Sequence, residues 1–149
     1  MIDVAAYTPF LSQLREAGPR PVFIIAPVKT RTPIKIGRSV DVGGALAGVQ
    51  RLTRAQVGVS FILWTPGHAI AERIETVVAL RLSDYQVPGF PKWFKIPADD
   101  VAGLITRIAR ELFRATAFLD HAAIMRKLAG GTPWAEAERA ARLSRSTLW

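Results

Sequence analysis

Two short apolar runs, Val22 to Val28 and Ile34 to Ile36, lie close together and are joined by Lys29 and then Thr30-Arg31-Thr32-Pro33. Runs of this length bounded by turn residues predict the two strands of a β-hairpin. Pro33 has no N–H to offer a ladder, so it belongs at the start of the second strand or on an edge.

Two helices and a third strand are expected after the hairpin. Val42 to Leu52 places Leu46, Val49 and Gln50 at helical spacing, and Val57 to Trp64 reads as a third strand ending at the turn Thr65-Pro66-Gly67. Ile70, Ile74, Val77, Val78 and Arg81 then trace one helical face, with Glu72, Glu75 and Ala79 on the neighbouring stripe. The order β-β-α-β-α predicts a small α+β domain with a central antiparallel sheet flanked by helices. Ahead of it, Thr8-Pro9, Phe10, Leu11 and Leu14 up to Gly18-Pro19 predict a short capped helix with a glycine stop, acting as a lid.

Residues 83 to 97 are rich in Pro, Gly and aromatics and show no clear period. Beyond them, Asp99 or Asp100 is expected to cap a long helix through Val101, Leu104, Ile105, Ile108, Leu112 and Phe113, continuing weakly to Leu128. Ala129-Gly130-Gly131 stops it and Thr132-Pro133 starts another. The expected division is a domain over 1–98 and a helical extension over 99–149.

Half of the 149 residues are apolar, enough for one ordinary core and a small appended module. The formal net charge of +8 favours a polyanionic partner. With no Cys there are no disulfides or thiolate metal sites, and two His make a structural zinc site a poor expectation. The first residues lack a basic n-region and an apolar h-region, and no apolar run is long enough to span a membrane. The expectation is a cytoplasmic protein.

Lys35-Ile36-Gly37-Arg38-Ser39 and Asp41 follow the first strand; Leu46 and Gln50 sit on the next helix; Ile74-Glu75 lies on the helix after that; Trp93-Phe94 closes the stretch. In this order, over roughly residues 21 to 97, the chain resembles the GIY-YIG nuclease superfamily, in the bacterial and phage branch whose second tripeptide reads Lys-Ile-Gly. The resemblance implies DNA as the partner. It also implies a phosphodiester chemistry in which a Tyr helps activate water, a helix Arg steadies the phosphate and a Glu binds a divalent cation. Those roles demand a phenol that moves a proton, a guanidinium fork and a hard oxygen ligand.

The chain departs from that pattern at three positions. The Tyr position falls on Phe23, the helix Arg position on Ala45 and the later His position on Ala79, while Glu75 is retained. Residues 42 to 48 contain no basic residue to stand in, and losing a phosphate clamp alone costs roughly two orders of magnitude in rate. The resemblance therefore implies a degenerate member that binds without efficient cleavage.

Arg20, Lys29, Arg31, Lys35, Arg38, Arg51 and Arg54 make a segment nearly free of acids, and Lys35, Arg38, Arg51 and Arg54 are the candidate backbone contacts. Glu75 is the candidate metal ligand, and its alternative is a solvated helix carboxylate paired with an Arg. If the chain were an active nuclease, Glu75, Lys35 and Arg38 would be the catalytic candidates and magnesium or manganese the cofactor; binding alone requires none. Trp93 and Phe94 are read as core closure ahead of a base-stacking platform. His68 and His121 have no ligand spacing around them, and no role is assigned to either.

The C-terminal Leu143-Ser144-Arg145-Ser146-Thr147 resembles the last helix of a resolvase- or transposase-type helix-turn-helix. There Ser144 would cap the helix and Arg145, Ser146 and Thr147 would face phosphates or base edges. Glu138 and Arg142 depart from that motif, and the alternative is a helical pair packed on the domain or on a second copy of the chain. Two further function classes stay open: a divalent-metal-dependent DNA endonuclease, and an interaction protein of a phage or mobile element.

Overall fold

The computed structural model describes residues 1–130. The hairpin forms as expected: β1 (Arg20–Pro27) pairs antiparallel with β2 (Ile34–Gly37), setting Phe23 opposite Gly37 and Ile25 opposite Lys35. Pro33 immediately precedes β2, where the ladder does not need its missing N–H. The third strand, β3 (Val57–Thr65), pairs antiparallel with the other edge of β1. Two short strands, β4 (Gln86–Val87) and β5 (Phe90–Phe94), extend the sheet to the order β3-β1-β2-β5-β4. The result is a mixed α+β fold on an antiparallel sheet.

β1 is apolar at every position from Val22 to Ala26 because it is covered on both faces. Successive side chains of a strand point to opposite sides. Val22 and Ile24 enter a core with Ile34, Ile36 and Leu63, while Phe23 and Ile25 enter a second core with Val59, Ile62 and Trp64. Two helices cover the first face: α3 (His68–Arg81) through Ala71, Ile74 and Val78, and α4 (Ala98–Leu112) through Val101, Ile105 and Ile108. The second face is covered by Tyr7 of a 3-10 helix (Val4–Phe10), Leu14 of α1 (Leu11–Ala17), Val42 and Val49 of α2 (Val42–Leu52), and Ile124 and Leu128 of α5 (His121–Ala129). Each fully buried aliphatic or aromatic side chain contributes about 1.5–3 kcal/mol.

Several expectations need correction. The N-terminal helix begins as the 3-10 segment, with Asp3 as its cap and Pro9 inside it, before α1 ends at Gly18 in the left-handed region (φ 87). The stretch 83 to 97 holds β4 and β5 rather than irregular chain. Neither Asp99 nor Asp100 caps α4: the N-cap is Pro97, both acids lie in the first turn, and Asp99 accepts a 2.9 Å hydrogen bond from Arg31. A carboxylate there is still favoured by the helix dipole.

The long helix does not run to Leu128. It ends at Leu112, and Leu119 then forms a two-hydrogen-bond bridge with Trp64 on β3 (2.7 and 3.1 Å). Asp120 starts α5 by accepting from Ala123 N–H at 2.8 Å. The same edge of β3 is met near its other end by Ile2, whose N–H donates to Val59 O at 2.8 Å. The division near residue 98 marks no change of core, because α4 and α5 bury their apolar faces in the same two cores as the sheet.

Candidate nucleic-acid interface

Asp41 caps α2 by accepting from Gly44 N–H at 2.9 Å, which holds the helix beside the end of β2. The gap between α2 and the β1–β2 hairpin is a cleft of about 640 Å³. Its apolar lining includes Phe23, Ile25, Ala45, Val49 and Leu52. Its charged lining is Arg20, Lys35, Arg38 and Lys92, with His68 beside them and no carboxylate among the described residues. Such a cavity suits a ligand with an apolar ring and an anionic group.

Arg38 organises the rim. Its Nε donates to Glu75 Oε1 at 3.2 Å, and an Nη lies 3.4 Å from His68 Nδ1. A guanidinium can only donate, so His68 Nδ1 accepts and its proton sits on Nε2, which meets Glu72 Oε2 at 2.9 Å. Lys92 approaches the same Glu75 oxygen at 3.5 Å. The chain of contacts runs Glu72, His68, Arg38, Glu75, Lys92, and joins α3 and β5 to the residue that follows β2.

Glu75 is not a solvated helix carboxylate. The residue is 8% exposed, and its Oε2 is buried with no hydrogen-bond partner among the described residues. It projects from α3 beside the fully buried Ile74 and borders a second cavity with Ala79 and Lys92. A resident divalent cation does not fit this arrangement. The carboxylate already holds two cationic side chains on Oε1, and its remaining oxygen, Oε2, is buried.

Of the residues expected from the sequence, Lys35 and Arg38 come together on the cleft and Glu75 stands behind Arg38. Lys35 lies across the ladder from Trp93, and its side chain makes no ion pair or hydrogen bond among the described residues. Arg51 and Arg54 are exposed but do not line the cleft, and Arg51 donates back to Ala47 O at 3.3 Å. Phe94 closes the core as expected, and Trp93 is partly buried against the other one. Ser144, Arg145, Ser146 and Thr147 lie outside the described residues.

Sequence reasoning missed His68 and Lys92; Arg20 was counted in the acid-poor basic segment but not among the candidate backbone contacts, and it lines the cleft. Lys92 carried one signal, its place directly before Trp93-Phe94; His68 carried none. Phe23 and Ala45, which the resemblance would set at the places of a phenol and a guanidinium, line the same cleft as Lys35 and Arg38. No family model matches the chain, and no curated protein and no solved structure matches it.

Proposed function

We propose that the chain binds DNA through the cleft between α2 and the β1–β2 hairpin, without hydrolysing it. The observation that carries this reading is the lining: four cationic side chains and no carboxylate around an apolar floor, among the described residues. Lys35 is uncommitted and meets phosphate as a mobile point charge, while Arg38 is held in place by Glu75 and offers its remaining N–H groups. The lack of hydrolysis follows from the floor. Phe23 has no proton to exchange, Ala45 has no fork for the phosphate, and Arg38 and Lys92 neutralise Glu75.

Binding of this kind releases counterions and falls steeply with salt. The test is a gel experiment with supercoiled plasmid and labelled duplex, with magnesium or manganese and with chelator, at two salt concentrations. The expected result is a salt-sensitive shift of intact DNA, lost in Lys35→Glu/Arg38→Glu and insensitive to chelator. Metal-dependent nicking abolished by Glu75→Ala would overturn the reading in favour of an endonuclease. Neither shift nor nicking would favour a protein-interaction role.

A further inference from the structure

Beyond the cleft, we infer a second anion site on the opposite face of the sheet, a groove along the C-terminal half of α4 that takes a segment of single-stranded nucleic acid. Two adjoining cavities of about 520 and 540 Å³ share Phe61, Thr106, Arg110 and Arg114, and Arg107 extends the first of them. Phe61 packs at the margin of the core beneath α3 and α4, whereas the Lys35 cleft borders the other core, so the two sites are separated by the sheet.

Three features give the groove its chemistry. Arg107, Arg110 and Arg114 are exposed, and none of their side chains makes an ion pair or hydrogen bond among the described residues. Guanidinium groups left unpaired beside one another repel, and a row of phosphates relieves that repulsion while accepting forked hydrogen bonds. Phe61 is only partly buried and lines both cavities, and an aromatic side chain in such a groove can stack on a base. Two carboxylates also line the groove, one in each cavity: Asp120, whose Oδ1 accepts from Ala123 N–H, and Glu111. An acidic peptide would satisfy the arginines but leave the aromatic floor without a partner. An unstacked strand engages both.

The site does not depend on the cleft, so the two can be tested separately. Binding of labelled octathymidylate is followed by fluorescence anisotropy for the wild type, Lys35→Gln/Arg38→Gln, Arg107→Gln/Arg110→Gln/Arg114→Gln, and the combination of all five. A charge-matched control carries Arg15→Gln/Lys95→Gln/Arg126→Gln. The triple α4 variant is expected to bind about tenfold or more weakly in either background, with the salt slope reduced by roughly 2, as three fewer single-strand phosphate contacts require. Phe61→Leu is expected to weaken the oligonucleotide several-fold and leave inorganic polyphosphate unchanged.

The proposal is overturned if the α4 variant weakens binding no more than the control, or if the Lys35→Gln/Arg38→Gln protein binds no oligonucleotide. Polyglutamate binding as tight as the oligonucleotide and indifferent to Phe61→Leu would overturn it too. Failure of the cleft reading has a different signature: Lys35→Gln/Arg38→Gln binds as the wild type does while the α4 variant does not.

Discussion

Gly37 stands directly across the ladder from Phe23, and a Cβ at Gly37 would come within 2.6 Å of two carbons of the Phe23 ring. The Phe23 ring therefore occupies the space that any larger residue at 37 would need, and it is itself 1% exposed. Gly37→Ala is expected to cost about 1–3 kcal/mol, through displacement of the Phe23 ring from its packed position. Combining it with Phe23→Leu opens the space, so the pair should be less destabilised than the two single changes summed. Urea midpoints of the four proteins measure this, and strict additivity would mean that the ring and the glycine do not meet.

The Arg38–Glu75 pair makes a second expectation. The Glu75 side chain is 11% exposed and that of Arg38 27%, so the pair is only partly screened by water. Arg38→Met would leave a nearly buried carboxylate with Lys92 alone at 3.5 Å, at a cost of roughly 1–3 kcal/mol after allowing for the remaining exposure. Adding Glu75→Gln removes the stranded charge and should recover at least half of the loss. If chemical denaturation finds the double variant as unstable as Arg38→Met or worse, Glu75 is held by something other than charge.

The parts of the fold legible in the sequence were those with a clean local pattern. α2 and α3 follow from apolar residues at helical spacing, β2 from alternation, and β1 and β3 from short, mostly apolar runs bounded by turns. β4 and β5 were not legible because most of β5 is exposed, Pro91 lies within it and Lys92 has φ 79, so no alternation survives. α4 and α5 read as one weak helix because the break between them is made by Leu119 pairing with Trp64, a contact 55 residues away that no local pattern records. Lys35, Arg38 and Glu75 were singled out from the sequence, and the fold brings them together. That His68 and Lys92 would join them depends on α3 and β5 meeting the end of β2, which is tertiary information.

Tyr7 provides a pH-dependent expectation. Trp64 Nε1–H donates to the Tyr7 oxygen at 3.2 Å, which leaves the phenol proton to go to His121 Nδ1. Burial pushes the Tyr7 pKa up from 10.0 to about 12; the Trp64 hydrogen bond opposes this and the Asp120 charge adds to it. Below pH 10 folded and unfolded chains both keep the proton. Between 10 and 12 the unfolded chain sheds it first, so the stability contributed by the raised pKa is lost across that window, on the order of 2 kcal/mol. Tyr7→Phe should remove most of that alkaline slope while costing about 1–3 kcal/mol at neutral pH, because Trp64 Nε1 loses its acceptor. Equal slopes in wild type and variant, read from denaturation midpoints near pH 9 and 11, would rule Tyr7 out as the group responsible.

Lys92 separates stability from binding. Its backbone lies in the left-handed region, φ 79, where a side chain is strained by roughly 1 kcal/mol or more. The ammonium it places 3.5 Å from Glu75 belongs to a side chain that is 51% exposed, so the ion pair contributes little in return. Lys92→Gly relieves the strain and removes the charge together, and the fold should be unchanged in stability to within about 1 kcal/mol. Lys92→Ala removes the charge but keeps most of the strain, and should be the less stable of the two. Both should bind duplex DNA more weakly and with a salt slope lower by about 1, because one phosphate contact is gone from the cleft rim. Thermal melts and salt titrations of the two variants decide the matter: a stable Lys92→Gly with full affinity would mean that the strained lysine does not face the nucleic acid, and the cleft would lose one of its four cations.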